Sequence, residues 1–211
     1  MATILRRSWL STKVTSLNTA GYPLTLECQS VPIGSSSISK KLRQLIKINN
    51  PDLKDDLLKD EHLLDLKLGY STVVPNTETQ NVQFEKLKFK FSESWIILDD
   101  YFGDPEKEEP NIAYSFLKSL NSIANVECLE RVCQNVVLAG GIWHVKGFKQ
   151  LFKKKVLKEL TENPDFSRLK TMNIHQKIRN RCCNEGFADL PFSPVDLPWV
   201  GCSIASSTGN I

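Results

Sequence analysis

The chain is poor in the residues that usually carry chemistry. Of its 211 residues three are histidine, His62, His144 and His175, and they stand apart with no metal-ligand spacing. Each reads as a surface or packing residue rather than a ligand. Six cysteines are present, and no two form a C-x-x-C pair. Cys182 and Cys183 are adjacent, which suits neither a routine disulfide nor a zinc knuckle. With Cys28, Cys128, Cys133 and Cys202 they read as free thiols of a reducing compartment. No G-x-S-x-G, Walker loop, H-E-x-x-H or G-x-G-x-x-G occurs. The acidic pairs Asp55/Asp56 and Asp99/Asp100 are sequence neighbours whose side chains diverge, so they make poor acid–base partners. The reading is a protein that is not an enzyme and holds no metal.

A dominant charge is lacking as well. With 27 Lys and Arg against 24 Asp and Glu, the net charge is +3. That is too small to argue for nucleic acid or an anionic membrane as partner. No apolar run is long enough to span a bilayer. Met1 to Leu10 sets Arg6 and Arg7 beside a few apolar residues, without the apolar core of a signal peptide. A content of 41% hydrophobic and 24% charged residues is that of an ordinary folded, soluble protein, and the length allows one domain or two small ones.

What is present centres on Asn135 to Phe148. Val136-Val137-Leu138-Ala139 is a run of four apolar residues, the pattern of a strand buried on both faces. Gly140-Gly141 follows at once. A helical run then extends from Gly147 to about Glu162, with Phe148, Leu151, Phe152, Val156, Leu157 and Leu160 at helical spacing. Its polar face carries Lys149, Lys153, Lys154, Lys155 and Lys158. Strand, glycine pair and helix bring backbone close to a ligand, because glycine has no Cβ in the way.

Taken in order, Ser11 to Leu17 reads as a strand, Thr19 to Pro23 as a turn and Leu24 to Cys28 as a second strand of a hairpin. Ser35, Ser36 and Ser37 offer N-caps to an amphipathic helix through Ile38, Leu42, Leu45 and Ile46. Asn49-Asn50-Pro51 ends it. A second helix is read from about Leu53 to Leu68, stopped by Gly69. Tyr70 to Val74 reads as a strand, Pro75 to Asn81 as a polar loop and Val82 to Phe91 as a strand or hairpin. Trp95 to Leu98 is apolar. Asp104 to Pro110 is an acidic loop. Ile112 to Ile123 and Leu129 to Cys133 read as helices. Lys170 to Ile174 reads as a strand, Lys177 to Arg181 as a basic solvated face, and Val200 to Ser206 as a small-residue helix opened by Pro198-Trp199.

This order resembles the second half of an actin-family protein. Asn135 to Gly141 with Gly147 is similar to the family's strand, Gly-Gly turn and Gly-led helix beside the adenine. Trp199-Val200-Gly201-Cys202-Ser203-Ile204 is similar to the tryptophan-led helix near the family's C-terminus, with Cys202 in place of a second glycine. Gly21-Tyr22-Pro23-Leu24 and the step Ile33-Gly34-Ser35 resemble the hairpin and helix after the second phosphate loop. Leu117-Leu120 and Asn125 to Arg131 fit the helix and spacer before the adenine strand. Cys28 to Gly34 and Phe192-Ser193-Pro194 are most similar to the divergent branch of the family at the pointed end of dynactin.

The resemblance implies an α/β chain with a partial actin-like fold of the actin/Hsp70 ATPase type, mainly its second half with a small inserted helical subdomain. The insertion spans residues 35–91, and segments 1–34 and 92–211 form the flanking core. The residues of a vestigial adenine-side pocket are Gly140, Gly141, Trp143 and Gly147. Trp143 is bulkier than the small residue usual there and fills the pocket itself. Neither of the family's Asp-x-Gly phosphate hairpins is visible. The first belongs to an N-terminal half that this chain lacks, and Arg6-Arg7-Ser8-Trp9 stands where the second belongs. The family's nucleoside-contacting Lys-Glu pair maps to Asp65-Leu66. The expectation is therefore no cofactor, with ATP bound weakly at best. Function and place follow from the branch: a non-catalytic subunit in the cytoplasm and cytoskeleton. It would cap an actin-related filament, contacting the filament-forming subunit and the other pointed-end subunits of dynactin, with no nucleic acid and no membrane insertion. The loops Pro75 to Asn81 and Asp104 to Pro110 are its candidate contacts. The competing readings are an actin-fold ATP-binding protein or ATPase and a nuclear actin-related subunit of a chromatin-remodelling complex.

Overall fold

The computed structural model describes residues 2–7, 12–17, 24, 28–52, 59–63, 66, 81–84, 87–90, 101–103, 109, 111–145, 147–172, 176, 191–193 and 196–207. The chain opens with an antiparallel pair, β1 (Ala2–Arg7) and β2 (Thr12–Leu17), in register from Ala2↔Leu17 to Arg7↔Thr12. Against the other side of β2 lies β3 (Gln29–Val31), antiparallel, with Thr12 opposite Val31. The second hairpin strand was read at Leu24 to Cys28. Leu24 and Cys28 lie outside any strand, and residues 25–27 are outside the described residues. The Leu24 N–H donates to the Ser16 carbonyl at 2.8 Å, and the described regular pairing with β2 is at Gln29–Val31.

Helix α1 (Ser35–Asn49) buries Ile38, Leu42 and Ile46, which recur at helical spacing. Its cap is Gly34 rather than one of the serines. Gly34 is held in place because its carbonyl accepts a long bond, 3.5 Å, from the buried Tyr101 hydroxyl. The helix ends at Asn50, whose side chain donates to the Ile46 carbonyl at 2.9 Å immediately before Pro51. Of the helix read from Leu53 to Leu68, residues 53–58, 64, 65, 67 and 68 lie outside the described residues; Lys59 is not helical, and Asp60, which starts a helical turn, pairs with Arg43 at 3.2 Å. Leu63 and Leu66 beyond it are fully buried.

β4 (Asn81–Phe84) and β5 (Leu87–Lys90) form a tight hairpin with Phe84 opposite Leu87. Asn81, read as the end of a polar loop, is the first residue of β4. The candidate strand Tyr70 to Val74, the segment Trp95 to Leu98 and the basic stretch Lys177 to Arg181 lie outside the described residues.

Two asparagine-capped helices follow. In α2 (Ile112–Asn121) the Asn111 side chain accepts from the Tyr114 N–H at 2.9 Å. In α3 (Val126–Gln134) Asn125 does the same for the Cys128 N–H at 2.9 Å. Ile112, Ala113, Phe116, Leu117 and Leu120 of α2 are buried. β6 (Val136–Ala139) then runs parallel to β1, Thr3 opposite Val136 and Arg6 opposite Ala139. The described sheet has the order β3-β2-β1-β6. In that described order β6 is last, with Val136, Leu138 and Ala139 buried and Val137 half-buried.

A single 3-10 turn, Gly141–His144, leads to α4 (Phe148–Glu162), the partner of α2 in the core. Another short turn, Pro164–Phe166, gives α5 (Ser167–Thr171). Lys170 and Thr171 are helical here, not in the strand read for Lys170 to Ile174. Their place is set by Lys170, whose Nζ reaches back to the carbonyls of Thr161 (2.8 Å) and Asn163 (3.3 Å). The last described element, α6 (Leu197–Ser207), buries none of its described side chains; Trp199 is 73% exposed.

One continuous apolar cluster joins the sheet, α1, α2, α3 and α4, including Ile38, Leu42, Ile46, Leu63 and Leu66 from the segment read as an insertion. Its aromatic centre is Phe148. Tyr101 meets it edge-on at 5.7 Å and Trp143 at 5.2 Å, while Trp143 also meets Phe152 at 5.4 Å. Among the described residues no helix is long and apolar enough to cross a membrane.

Candidate functional site

The carboxyl ends of β1 and β6 lie at the same end of the sheet, because the two strands are parallel and Arg6 faces Ala139. That end of an open sheet is where ligands bind in many α/β proteins. Beyond β1 comes the four-residue link Ser8-Trp9-Leu10-Ser11 to β2. Beyond β6 come Gly140 and Gly141.

Gly140 has φ 108 and ψ 164, a region open to glycine and strained for every other residue. Its carbonyl accepts from the Trp143 N–H at 3.4 Å, which winds the chain into the 3-10 turn. Gly147 has φ 84 and caps α4 from the left-handed region. Its carbonyl accepts from the Leu151 N–H at 2.9 Å, and the Phe148 N–H donates to Val145 at 3.0 Å. Gly141 differs. Its φ is ordinary, and a Cβ there would meet nothing within 4 Å. The glycine pair therefore divides into one residue the backbone requires and one that borders open space.

Of the four residues read as an adenine-side pocket, Gly140, Gly141 and Gly147 lie at the end of β6 and the head of α4. Trp143 turns away from the open space into the core, 3% exposed between Phe148 and Phe152. Its Nε1–H is buried without a hydrogen-bond partner, a cost of about 1–3 kcal/mol that its ring packing offsets. The start of α4 is electropositive: the first turn holds no acidic residue, and Lys149 follows the first helical position.

A second group of polar side chains lies where the carboxyl ends of α2 and α4 meet the 163–172 segment. Arg168 donates to three carbonyls at the end of α2: Asn121 at 2.6 Å, Ile123 at 2.8 Å and Ala124 at 3.2 Å. Lys170 does the same for α4. The Tyr114 hydroxyl donates to Asp165 Oδ2 at 3.0 Å. Burial, and then the Asp165 carboxylate and Glu159, hold the Tyr114 pKa above its usual value of 10.0. The arrangement neutralises helix ends and bonds one element to another. Sequence reading missed it, since nothing local links Arg168 to Asn121. Asn111 is a further buried polar residue it missed. It donates to the Gly103 carbonyl (2.9 Å) and to Glu159 Oε1 (3.1 Å), and its position three residues before Tyr114 carries the capping signal.

Among the described residues no three of His, Cys, Asp and Glu gather as a metal site would require. Cys28, Cys128, Cys133 and Cys202 are in no disulfide; Cys182 and Cys183 lie outside the described residues. In comparison with known proteins, the chain matches no family model and no curated protein.

Proposed function

We propose that the chain is a non-catalytic, actin-related subunit of dynactin. It caps the pointed end of the short actin-related filament and holds the neighbouring pointed-end subunits. The complex uses that end to attach cargo for dynein-based transport along microtubules. The observation that carries this reading is the passage from β6 through Gly140 to the Gly147-led helix, an order that resembles the family's adenine-side motif. The link between β1 and β2 reads Ser8-Trp9-Leu10-Ser11, with no Asp-x-Gly to cradle phosphates, and this supports a binding rather than a hydrolytic role. Docking then rests on shape: one face resembles a filament subunit, and altered surface loops block further addition.

Purification of the tagged chain from cells, with mass spectrometry of what accompanies it, tests the assembly. Recovery of pointed-end dynactin subunits is expected. Recovery of chromatin-remodelling subunits instead would overturn the reading. Calorimetric titration with magnesium-ATP tests the site, and binding weaker than micromolar, about −8 kcal/mol, is expected.

A further inference from the structure

We draw no further inference here: the strongest candidate, the exposed apolar surface of α6 that carries Trp199 and Ile204, is a helix face for which nothing in the structure shows what covers it.

Discussion

Gly140 and Gly141 are neighbours with opposite tolerance. A side chain at Gly140 is forced into φ 108, ψ 164, and Gly140→Ala is expected to cost about 1–3 kcal/mol. Gly147→Ala pays about 1–2 kcal/mol for the left-handed cap. Gly141→Ala meets no atom and stays within about 0.5 kcal/mol of the parent. Urea midpoints of the three variants check the ranking. A similar contrast applies to the fully buried hydroxyls of Ser16 and Ser119, 3.2 Å apart between β2 and α2. Either alanine alone strands a hydroxyl, at about 1–3 kcal/mol, while the double variant is expected to recover much of that loss. A double-mutant cycle measures the difference. Tyr114 brings pH into play. Its folded pKa is raised, so its contribution is complete below the usual value of 10.0 and is lost as pH climbs through the folded value. The stability gap between the parent and Tyr114→Phe should therefore narrow above pH 10.0, as followed by denaturation in alkaline buffers.

Arg168 and Lys170 are the fasteners at the scale of elements. Each brings a cation to the negative end of a different helix from one short segment. Arg168→Ala is expected to cost about 1.5–3 kcal/mol, the worth of charge-assisted bonds. Arg168→Lys keeps the charge and loses the fork that spans Asn121 and Ile123, so it recovers only part. Thermal unfolding monitored by circular dichroism separates the two. At the other extreme, α6 buries none of its described side chains. A chain ending at Ser193 is expected to unfold with a midpoint close to the parent's.

These elements also show what a one-dimensional reading can reach. Helix α2 was legible because Ala113, Phe116, Leu117 and Leu120 repeat at its own period. So was α4, from Phe148, Phe152, Val156 and Leu160. At the candidate site the strand, Gly140 and Gly147 were legible, since turn chemistry is local. β1 was not. Its partner strand β6 lies beyond most of the chain, and Arg6-Arg7 breaks its pattern. Trp143 is read into the adenine-side pocket by resemblance and fills it by its bulk; its direction depends on Phe148 and Phe152, met only through the folded turn. Of the strand read at Leu24 to Cys28 only the two end residues are described, both outside any strand, and the described pairing with β2 is at Gln29–Val31.

The whole molecule depends on one distant pairing. Thr3 meets Val136, so the sheet joins β1 to a strand synthesised well after it. A ribosome adding roughly 5–20 residues per second needs on the order of ten seconds to bridge that interval. Through that time β1 and β2 can fold on each other, but the flank of β1 that belongs to β6 stays open, an edge able to recruit the wrong strand. Newborn chains are thus expected to need a holding chaperone until β6 emerges. Arrested nascent chains that stop short of Val136 should bind it and be cleaved readily by protease. Those with Ala139 clear of the ribosome should release it and become resistant, which makes the emergence of β6 the point at which β1 is secured.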